Sequence, residues 1–445
     1  MIVAAATPWG RGATALVRVS GRGADAVVRR VCGRVPAPWT VRHARLRDEA
    51  GVFDSGLVAW FAAPKSYTGE DVAEISCHGN PLLVERLVAA LCAAGARVAS
   101  PGEFTRRALV SGKLDLTQAE AVLDTIAATS MAGVDAARAR VDGAVSAFAA
   151  SLRDELVDLA ATLEVAVDYP DEEGMGADSI LADRLLSVAT RARRAAGTVA
   201  AGRAAVEGVR VALVGPVNAG KSSLFNALLG RARAIVSPVP GTTRDVVEAP
   251  LQTRTARVSL LDTAGDREGA DPVEVEGVRL GREAAAEVDL LLLCIPGDRA
   301  PAAEWDALWR RSRGRPLVAV RTFTDRPPDP ACDAWAAERG IVFAFAVSAS
   351  TGVGVDALRS GLPSAVGTTI PAEAEVVLAS RRQADALAAL AEDVAEAARA
   401  LRDGAGPVVA IELTLAGVGH LDRLVGRDSR EAVLDRLFSR FCIGK

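Results

Sequence analysis

A glycine-rich segment in the middle of the chain, residues 215–222, constrains the fold more than any other part of the sequence. It reads GPVNAGKS and fits the pattern G-x-x-x-x-G-K-[ST] at every position. It follows an apolar, strand-like run and precedes a helical one, which is the context that this motif requires. In that context, successive backbone N–H groups and the helix N-terminus hold phosphate groups. Lys221 would place its charge on the β- and γ-phosphates, and Ser222 would offer a hydroxyl to Mg²⁺.

Strand-like and helix-like runs alternate around this segment. Such alternation is typical of a doubly wound α/β domain with a parallel sheet. The sequence therefore predicts an α/β domain over residues 208–370. The runs are 209–214, 224–229, 258–261, 273–287, 290–295, 317–321 and 341–347.

Alanine- and leucine-rich stretches with helical spacing flank the α/β domain on both sides. We therefore predict one helical domain, residues 113–207 and 371–445, into which the α/β domain is inserted. A tandem arrangement is the alternative, but the last segment alone would form a thin core. The helical runs are 116–129, 135–167, 180–206, 373–402 and 431–441.

Residues 1–112 mix strand-like runs with helical ones. The runs 14–20, 56–62 and 71–77 are rich in Val, Ile and aromatic residues, and 81–94 has the apolar spacing of a helix. We predict an α+β domain here. Several domains are expected in any case, because 445 residues exceed what one hydrophobic core usually supports.

Composition excludes several classes of protein. The chain has 52 Lys+Arg against 56 Asp+Glu, a formal net charge of −4, and 50% hydrophobic residues. These values are ordinary for a globular protein and argue against a disordered chain or a nonspecific nucleic-acid binder. The six cysteines are scattered, so we expect free thiols in the cytoplasm rather than disulfides. No apolar run reaches about 18 residues, so we expect no membrane partner.

Lysine is rare, because nearly all of the basic charge is arginine. A compact ammonium and a planar guanidinium are not interchangeable at every site. The surviving lysines therefore mark candidate functional positions, although chance survival explains any single one equally well. They are Lys65, Lys113, Lys221 and Lys445.

Two further elements narrow the nucleotide site to a GTPase site. Residues 262–265 read DTAG after a strand-like run; in such an element the Asp reaches Mg²⁺ through water and the Gly N–H meets the γ-phosphate. Residues 241–245 read GTTRD in a loop rich in Pro and Thr. A threonine of such a loop binds Mg²⁺ only while the γ-phosphate is present. Three elements in this order predict a GTPase.

The segment for base recognition departs from the N-K-x-D pattern of GTPases. It reads Thr322, Phe323, Thr324, Asp325. Asp325 can accept the two N–H donors of guanine, which adenine does not present. Thr322 is a poorer partner than Asn, and Phe323 can stack on the base without a charge. Residues 348–350 fit the last base-side loop, so we expect guanine to be favoured, with less strict selectivity.

Spacing alone does not identify the group that activates the attacking water. Asp266 stands where small GTPases carry Gln. Asn218 can help to bind a monovalent cation that bridges the phosphates and does the electrostatic work of an arginine finger. A role in stabilising the turn is equally compatible with the sequence.

The whole chain resembles the MnmE (TrmE) family of tRNA modification GTPases. The matching motifs lie in every predicted domain as well as in the GTPase elements. They are residues 6–12 (ATPWGRG), 64–71 (PKSYTGED), 77–79 (CHG), 101–106 (PGEFTR), 112–116 (GKLDL), 118–121 (QAEA), 168–173 (DYPDEE) and 441–445 (FCIGK).

The resemblance implies specific residues for the GTPase site. The catalytic residues would be Glu274, which positions the water, with Lys221 and Asn218. The ligands of Mg²⁺ would be Ser222 and Thr243, and those of K⁺ would be Asn218, Ser237, Val239 and Thr242. The residues in contact with GTP would be Asn218, Ala219, Gly220, Lys221, Ser222, Ser223, Ser237, Thr242, Thr243, Asp262, Thr263, Ala264, Gly265, Asp325, Ser348 and Ala349.

The resemblance also implies that the N-terminal domain forms a homodimer and binds a tetrahydrofolate of the 5-formyl or methylene type. A carboxylate can read the donor–acceptor edge of a pterin, and the glutamyl tail needs cations. For each of the folate residues named below, a surface ion pair is the alternative. For Cys442, beside the C-terminal motif, simple packing of the thiol is the alternative to a chemical role. The folate residues would be Arg18, Glu74, Lys113 and Lys445.

Finally, the resemblance implies a reaction. A K⁺-stimulated GTPase of this family works with an MnmG-type FAD protein, in a heterotetramer, to add an aminomethyl-type group to C5 of the wobble uridine of certain tRNAs. One alternative is a GTP-dependent conformational switch or assembly factor without a direct role in modification chemistry. A second alternative is a remnant whose α/β domain no longer discriminates nucleotides.

Overall fold

The computed structural model describes most of the chain. The described residues are 1–168, 177–230, 247–253, 257–262, 288–312, 314, 316–365, 373–403, 406–427, 431–439, 441 and 444. They form two compact units, which are described separately below. Unit 1 comprises Met1–Leu123, Arg140–Ala189 and Ala386–Lys445, and unit 2 comprises Asp124–Ala139 and Thr190–Asp385.

The strands of the described residues lie in the N-terminal part of the chain and in its middle. They are β1 (Ile2–Ala5), β2 (Thr14–Ser20), β3 (Val41–Asp48), β4 (Gly51–Phe61), β5 (Val72–His78), β6 (Arg97–Val98), β7 (Val209–Val214), β8 (Val247–Gln252), β9 (Arg257–Asp262), β10 (Leu290–Pro296), β11 (Leu317–Thr322) and β12 (Phe343–Ala346).

Helices occur in all parts of the described chain. They are α1 (Ala24–Cys32), α2 (Pro81–Ala93), α3 (Glu103–Val110), α4 (Leu116–Ala127), α5 (Met131–Val141), α6 (Ala144–Asp168), α7 (Ala177–Ala196), α8 (Val199–Glu207), α9 (Lys221–Leu229), α10 (Ala303–Ser312), α11 (Pro330–Glu338), α12 (Val355–Ala365), α13 (Arg381–Arg402), α14 (Pro407–Val425) and α15 (Glu431–Phe438).

The N-terminal sheet has the strand order β3-β4-β5-β2-β1-β6 and is antiparallel except for the β1–β6 pair. Side chains alternate between its two faces. Val17, Val19 and Ile75 are fully buried and pack in one core with apolar residues of α1 and α2. Arg18 and Glu74, which pair in register between β2 and β5, therefore lie on the opposite face.

The helical part of unit 1 is built around α6 and α14, which pack along each other. The buried residues of α6 recur every three or four positions, which is the apolar stripe of an amphipathic helix. A Cβ atom at Gly417 of α14 would lie only 3.0 Å from Val394 Cγ2 and 3.5 Å from Leu156 Cδ1. The glycine therefore allows α6, α13 and α14 to approach one another closely.

The second sheet, in unit 2, has the order β12-β11-β10-β7-β9-β8. All neighbouring strands are parallel except β8 and β9. The strand β10 is buried along its whole length, as expected of a parallel strand covered on both faces. The predicted succession of α+β, helical and α/β folds is thus confirmed, whereas the bounds of the four predicted segments stay a prediction.

Some helix predictions need correction. The helix predicted from residue 373 begins only at Arg381, because the chain before it is extended along α8: Leu378 N–H donates to Thr198 Oγ1 at 3.0 Å. The predicted run 135–167 is two helices, α5 and α6, separated at Gly143 with φ 94°. The predicted run 180–206 likewise divides into α7 and α8.

Two other expectations concern cysteines and membranes. The five cysteines in the described part of the chain are free thiols, as predicted. Among the described helices, none combines the length and the apolar character needed to cross a bilayer.

The α6–α14 contact makes a prediction about stability. Leu156 is fully buried, with its Cδ1 beside Gly417 of α14, and its neighbour Val157 is 40% exposed. We expect Leu156→Ala to lower the free energy of unfolding by about 2–5 kcal/mol, because it leaves a cavity. The control Val157→Ala should change it by less than about 0.5 kcal/mol. Urea unfolding followed by circular dichroism measures both, and equal effects would contradict this packing.

Candidate functional site

The carboxyl edge of the second sheet gathers the predicted nucleotide residues. The phosphate-binding loop follows β7, Asp262 ends β9, Thr322 ends β11, and Ser348 comes two residues after β12. The carboxyl ends of parallel strands lie at the same edge of a sheet, which is where open α/β sheets bind ligands. The predicted nucleotide residues that the structure describes in unit 2 therefore lie at one edge of the sheet.

Lys221 is held in place by the loop itself. The residue is only 7% exposed, and its Nζ donates to the carbonyl oxygens of Gly215 at 2.9 Å and Pro216 at 2.8 Å. Its backbone opens α9 directly after Gly220, which has φ 82°. A buried ammonium and a helix N-terminus thus share one small region, and both favour a bound anion.

The first turn of α9 offers hydroxyls to a ligand. Ser222 and Ser223 are exposed there, whereas Ala219 is buried beneath the loop. Asn218 is exposed and adopts φ 56°, a left-handed conformation that Asn tolerates better than most residues. A turn-forming role for Asn218 therefore has direct backbone support, and its role as a cation ligand stays a prediction.

Asp262 has the features of a cation-binding carboxylate. It pairs in register with Leu213, so it lies on the strand adjacent to the one that leads into the loop. Its Oδ1 atom is buried and has no hydrogen-bond partner within the described residues. An unpartnered buried carboxylate oxygen is costly unless a ligand or ion satisfies it. Together with the Ser222 hydroxyl, it gives the hard oxygen donors that suit Mg²⁺.

Thr322 has a structural role that the sequence did not reveal. It is 4% exposed, and its hydroxyl donates to the carbonyl oxygen of Ala219 at 2.8 Å. The base-side segment is thereby tied to the phosphate-binding loop. The hydroxyl proton of Thr322 is used in this bond, so Thr322 contributes to the site through the backbone of the loop.

Asp325 is prepared as a hydrogen-bond acceptor. Ser350 Oγ donates to its Oδ2 at 3.0 Å, and the hydroxyls of Ser348 and Ser350 lie 2.9 Å apart. The Ser348 hydroxyl, followed by the backbone N–H of Asp325, keeps the pKa of this carboxyl below its usual value. An ionised carboxylate can accept both N–H donors of a guanine base. Ala349 is half-buried between the two serines.

Arg18 and Glu74 form the second candidate site, on the face of the N-terminal sheet opposite the core that packs against α1 and α2. Arg18 donates to Glu74 Oε1 from Nε at 3.0 Å and from Nη2 at 2.7 Å. The Arg18 guanidinium also lies 5.7 Å from the ring centres of both Tyr67 and Phe104. The predicted pair is therefore together and oriented by aromatic neighbours.

A cavity of about 470 Å³ adjoins Glu74. Its walls include three aromatic residues and one lysine, and Glu74 is the one wall residue that the sequence predicts as a folate residue. A flat heterocycle with a polar edge fits this combination of ring faces and a carboxylate. The signals in the sequence are the motif at residues 64–71 and the scarcity of lysine, which marks Lys65. The lining residues are Trp39, Phe61, Lys65, Ser66, Tyr67, Val72 and Glu74.

The remaining predicted residues are placed elsewhere or lie outside the described part. Lys113 does not line this cavity; its Cε lies beside Gly69, 3.6 Å from where a Cβ atom would stand. The predictions for Asp266, Cys442 and the run 273–287 fall outside the described residues. So do the predicted site residues Ser237, Val239, Thr242, Thr243, Thr263, Ala264, Gly265, Glu274 and Lys445.

Comparison with known proteins covers the whole chain. The family model "MnmE helical domain" matches residues 116–442, and "GTP-binding protein TrmE N-terminus" matches residues 1–113. The tRNA modification GTPase MnmE of Halorhodospira halophila is 42% identical over 451 residues, covering 100% of this chain and 95% of that protein. The protein of the same name from Myxococcus xanthus is 42% identical over 450 residues, covering 100% and 98%.

A solved structure of Era from Aquifex aeolicus, bound to GDP·AlF4⁻, is similar to part of the chain. The identity is 24%, the match covers 42% of this chain and 66% of that one, and the TM-score is 0.31.

The bond from Thr322 to Ala219 yields a prediction. Thr322→Val keeps the shape but leaves a buried carbonyl without its donor, so we expect the free energy of unfolding of unit 2 to fall by about 1–3 kcal/mol. Thr322→Ser keeps the hydroxyl, so the fall should be smaller. Urea unfolding followed by tryptophan fluorescence compares the two variants with the unchanged chain. If Thr322→Val were as stable as the unchanged chain, the bond would contribute nothing to stability.

Proposed function

The chain belongs to the MnmE family of tRNA modification GTPases, and on this basis we propose a K⁺-stimulated GTP hydrolase that helps to modify the wobble uridine of tRNA. That it is a GTPase involved in tRNA modification follows from full-length similarity. We further propose that the chain acts with an MnmG-type flavoprotein partner to add an aminomethyl-type group to C5 of this uridine, with a tetrahydrofolate-bound one-carbon unit as the carbon source.

One observation carries the GTPase proposal. At a single sheet edge, the buried ammonium of Lys221 lies in a phosphate-binding loop, Asp262 presents a carboxylate oxygen that has no hydrogen-bond partner among the described residues, and Asp325 presents an ionised carboxylate. These three groups match the phosphates, the cation and the base of a guanine nucleotide.

In this proposal, each described residue has a defined role. Lys221 stabilises the negative charge on the phosphates, and Asp325 orients the nucleotide through its base. Ser222 and Asp262, with Thr243, would hold Mg²⁺, which supplies charge neutralisation at the phosphates when bound. Asn218, with Ser237, Val239 and Thr242, is the proposed K⁺ site. Glu274 is the proposed residue that positions the attacking water.

The N-terminal site has the chemistry for a pterin. Glu74 can accept from a pterin edge, while the neighbouring rings of Trp39, Phe61 and Tyr67 offer flat apolar surface. Lys65 faces the same cavity and is a candidate for contact with the glutamyl tail. Lys113 and Lys445 retain that role in the proposal.

The proposed assembly follows from the family. We propose a homodimer formed through residues 1–112, with helical segments 113–207 and 371–445 around an inserted GTPase domain at 208–370. The dimer would join an MnmG-type FAD protein in a heterotetramer. Its proposed place of action is the cytoplasm, because its substrate is tRNA.

Nucleotide and cation selectivity test the GTPase proposal. We expect GTP to be hydrolysed at least about ten times faster than ATP, because only guanine presents two N–H donors to Asp325. We also expect KCl to accelerate hydrolysis over NaCl at equal ionic strength. Steady-state phosphate release measures both. Equal rates in the two salts would contradict the proposed K⁺ site. Equal rates for GTP and ATP would contradict the proposal that the site selects guanine.

The folate proposal has a separate test. Glu74→Gln should weaken binding of 5-formyltetrahydrofolate at least about tenfold in a calorimetric titration, because it removes a charged acceptor. It should also abolish wobble-uridine modification in cells that depend on this chain. Glu85→Gln, an exposed residue of α2 in the same domain, is the matched control. Full modification with Glu74→Gln would favour the alternative of a conformational switch without a role in the chemistry.

A further inference from the structure

Phe323 has an unusual backbone conformation and an unusual neighbour. Its φ of 59° is left-handed, a conformation that bulky residues rarely adopt. The preceding bond from Thr322 to Ala219 and the turn from Arg326 N–H to Phe323 O, at 3.1 Å, hold it there. A Cβ atom at Gly220 would lie 3.2–3.7 Å from three carbons of the Phe323 ring. The ring therefore borders the last loop residue before Lys221.

Two arginines cover this ring. The guanidinium carbon of Arg326 lies 4.5 Å from the ring centre, and that of Arg299 lies 5.4 Å from it. Both distances are within the range of cation–π attraction. Positive charge from two guanidinium groups thus lies beside the phenyl ring and next to the nucleotide loop, although the ring itself is neutral.

Asp298 fixes both arginines. Its Oδ2 accepts from Arg326 Nη1 at 2.7 Å and its Oδ1 from Arg299 Nε at 3.0 Å, and its side chain is 9% exposed. Burial alone would raise the pKa of Asp298, but the hydrogen bonds from Arg299 and Arg326 lower it. The carboxylate is therefore ionised and holds two flexible side chains in one arrangement.

The charge of this cluster equals that of a lysine. Two arginines and one carboxylate sum to +1, which is the charge that Lys would carry at the second position of N-K-x-D. Phe323 occupies that position here. We call Asp298, Arg299, Phe323 and Arg326 the base platform.

We propose that the base platform replaces the missing lysine: the purine packs against the Phe323–arginine stack, and Arg326 is a specificity-determining residue that supplies the positive charge. Purines stack well on aromatic rings and on guanidinium planes. Guanine also presents acceptors, O6 and N7, that suit a guanidinium, whereas adenine replaces O6 with an amino donor. This inference rests on the proposed GTP site and explains how that site works without the usual motif.

Nucleotide titrations on the full-length chain test the platform. We expect Arg326→Gln to weaken GDP binding about tenfold, and Arg326→Lys, which keeps the charge, to stay within about threefold of the unchanged chain. Arg310→Gln, an exposed arginine of α10 in the same unit, is the matched control and should bind GDP normally. The readout is the dissociation constant for fluorescent GDP, with ADP measured alongside.

A second pair of variants, at Phe323, tests the contribution of the ring to GDP binding. Phe323→Ala should weaken GDP binding about tenfold, whereas Phe323→Lys, which restores the family residue, should stay within about threefold. Thermal melting without nucleotide checks that the variants are folded. Equal GDP affinity for Arg326→Gln and the unchanged chain, or equal losses for Arg326→Gln and Arg326→Lys, would overturn the platform. An unchanged chain that binds ADP as tightly as GDP would instead overturn the guanine assignment itself.

Discussion

The bond between the Thr322 hydroxyl and the Ala219 carbonyl joins two segments that lie 103 positions apart in the chain. It connects the loop that follows β7 to the loop that follows β11, across the intervening strand β10. The phosphate end and the base end of the candidate site are therefore parts of one hydrogen-bonded framework. The position of Phe323 against Gly220 depends on this bond, and so does the distance from Asp325 to the helix N-terminus at Lys221. A single buried hydroxyl thus links the two halves of nucleotide recognition.

The preference for arginine over lysine explains how the base-side segment differs from its family pattern. A guanidinium cannot simply replace a compact ammonium at a crowded position, because it is larger, planar and needs several acceptors. In this structure, different residues fill the space and supply the charge. A neutral ring occupies the crowded position beside Gly220, while the charge comes from Arg299 and Arg326 at its side. Asp298 restrains the two arginines, so that less conformational entropy is lost when a ligand binds.

Local motifs were predictable from the sequence, and contacts between distant segments were not. The phosphate-binding loop and the strands β2 and β7 were correct because each is encoded by neighbouring residues. The helix α14 was missed because Gly417 weakens the helical signal, yet that glycine is what the close packing with Leu156 and Val394 requires. The extended chain before Arg381 was mistaken for helix because its partner, Thr198, lies far away in sequence. The aromatic cavity beside Glu74 was missed for the same reason, since its walls come from several strands and loops.

Two energetically unfavourable features at the nucleotide site argue against the alternative that the α/β domain is a remnant that no longer discriminates nucleotides. Asp262 keeps a buried carboxylate oxygen without a partner in the described residues, and Phe323 keeps a left-handed backbone. Each of these features costs on the order of 1–3 kcal/mol. A domain without a ligand would gain stability by losing them. Their presence at one sheet edge, next to the ordered Asp325 carboxylate, is the pattern expected when a bound nucleotide and its cation complete the structure.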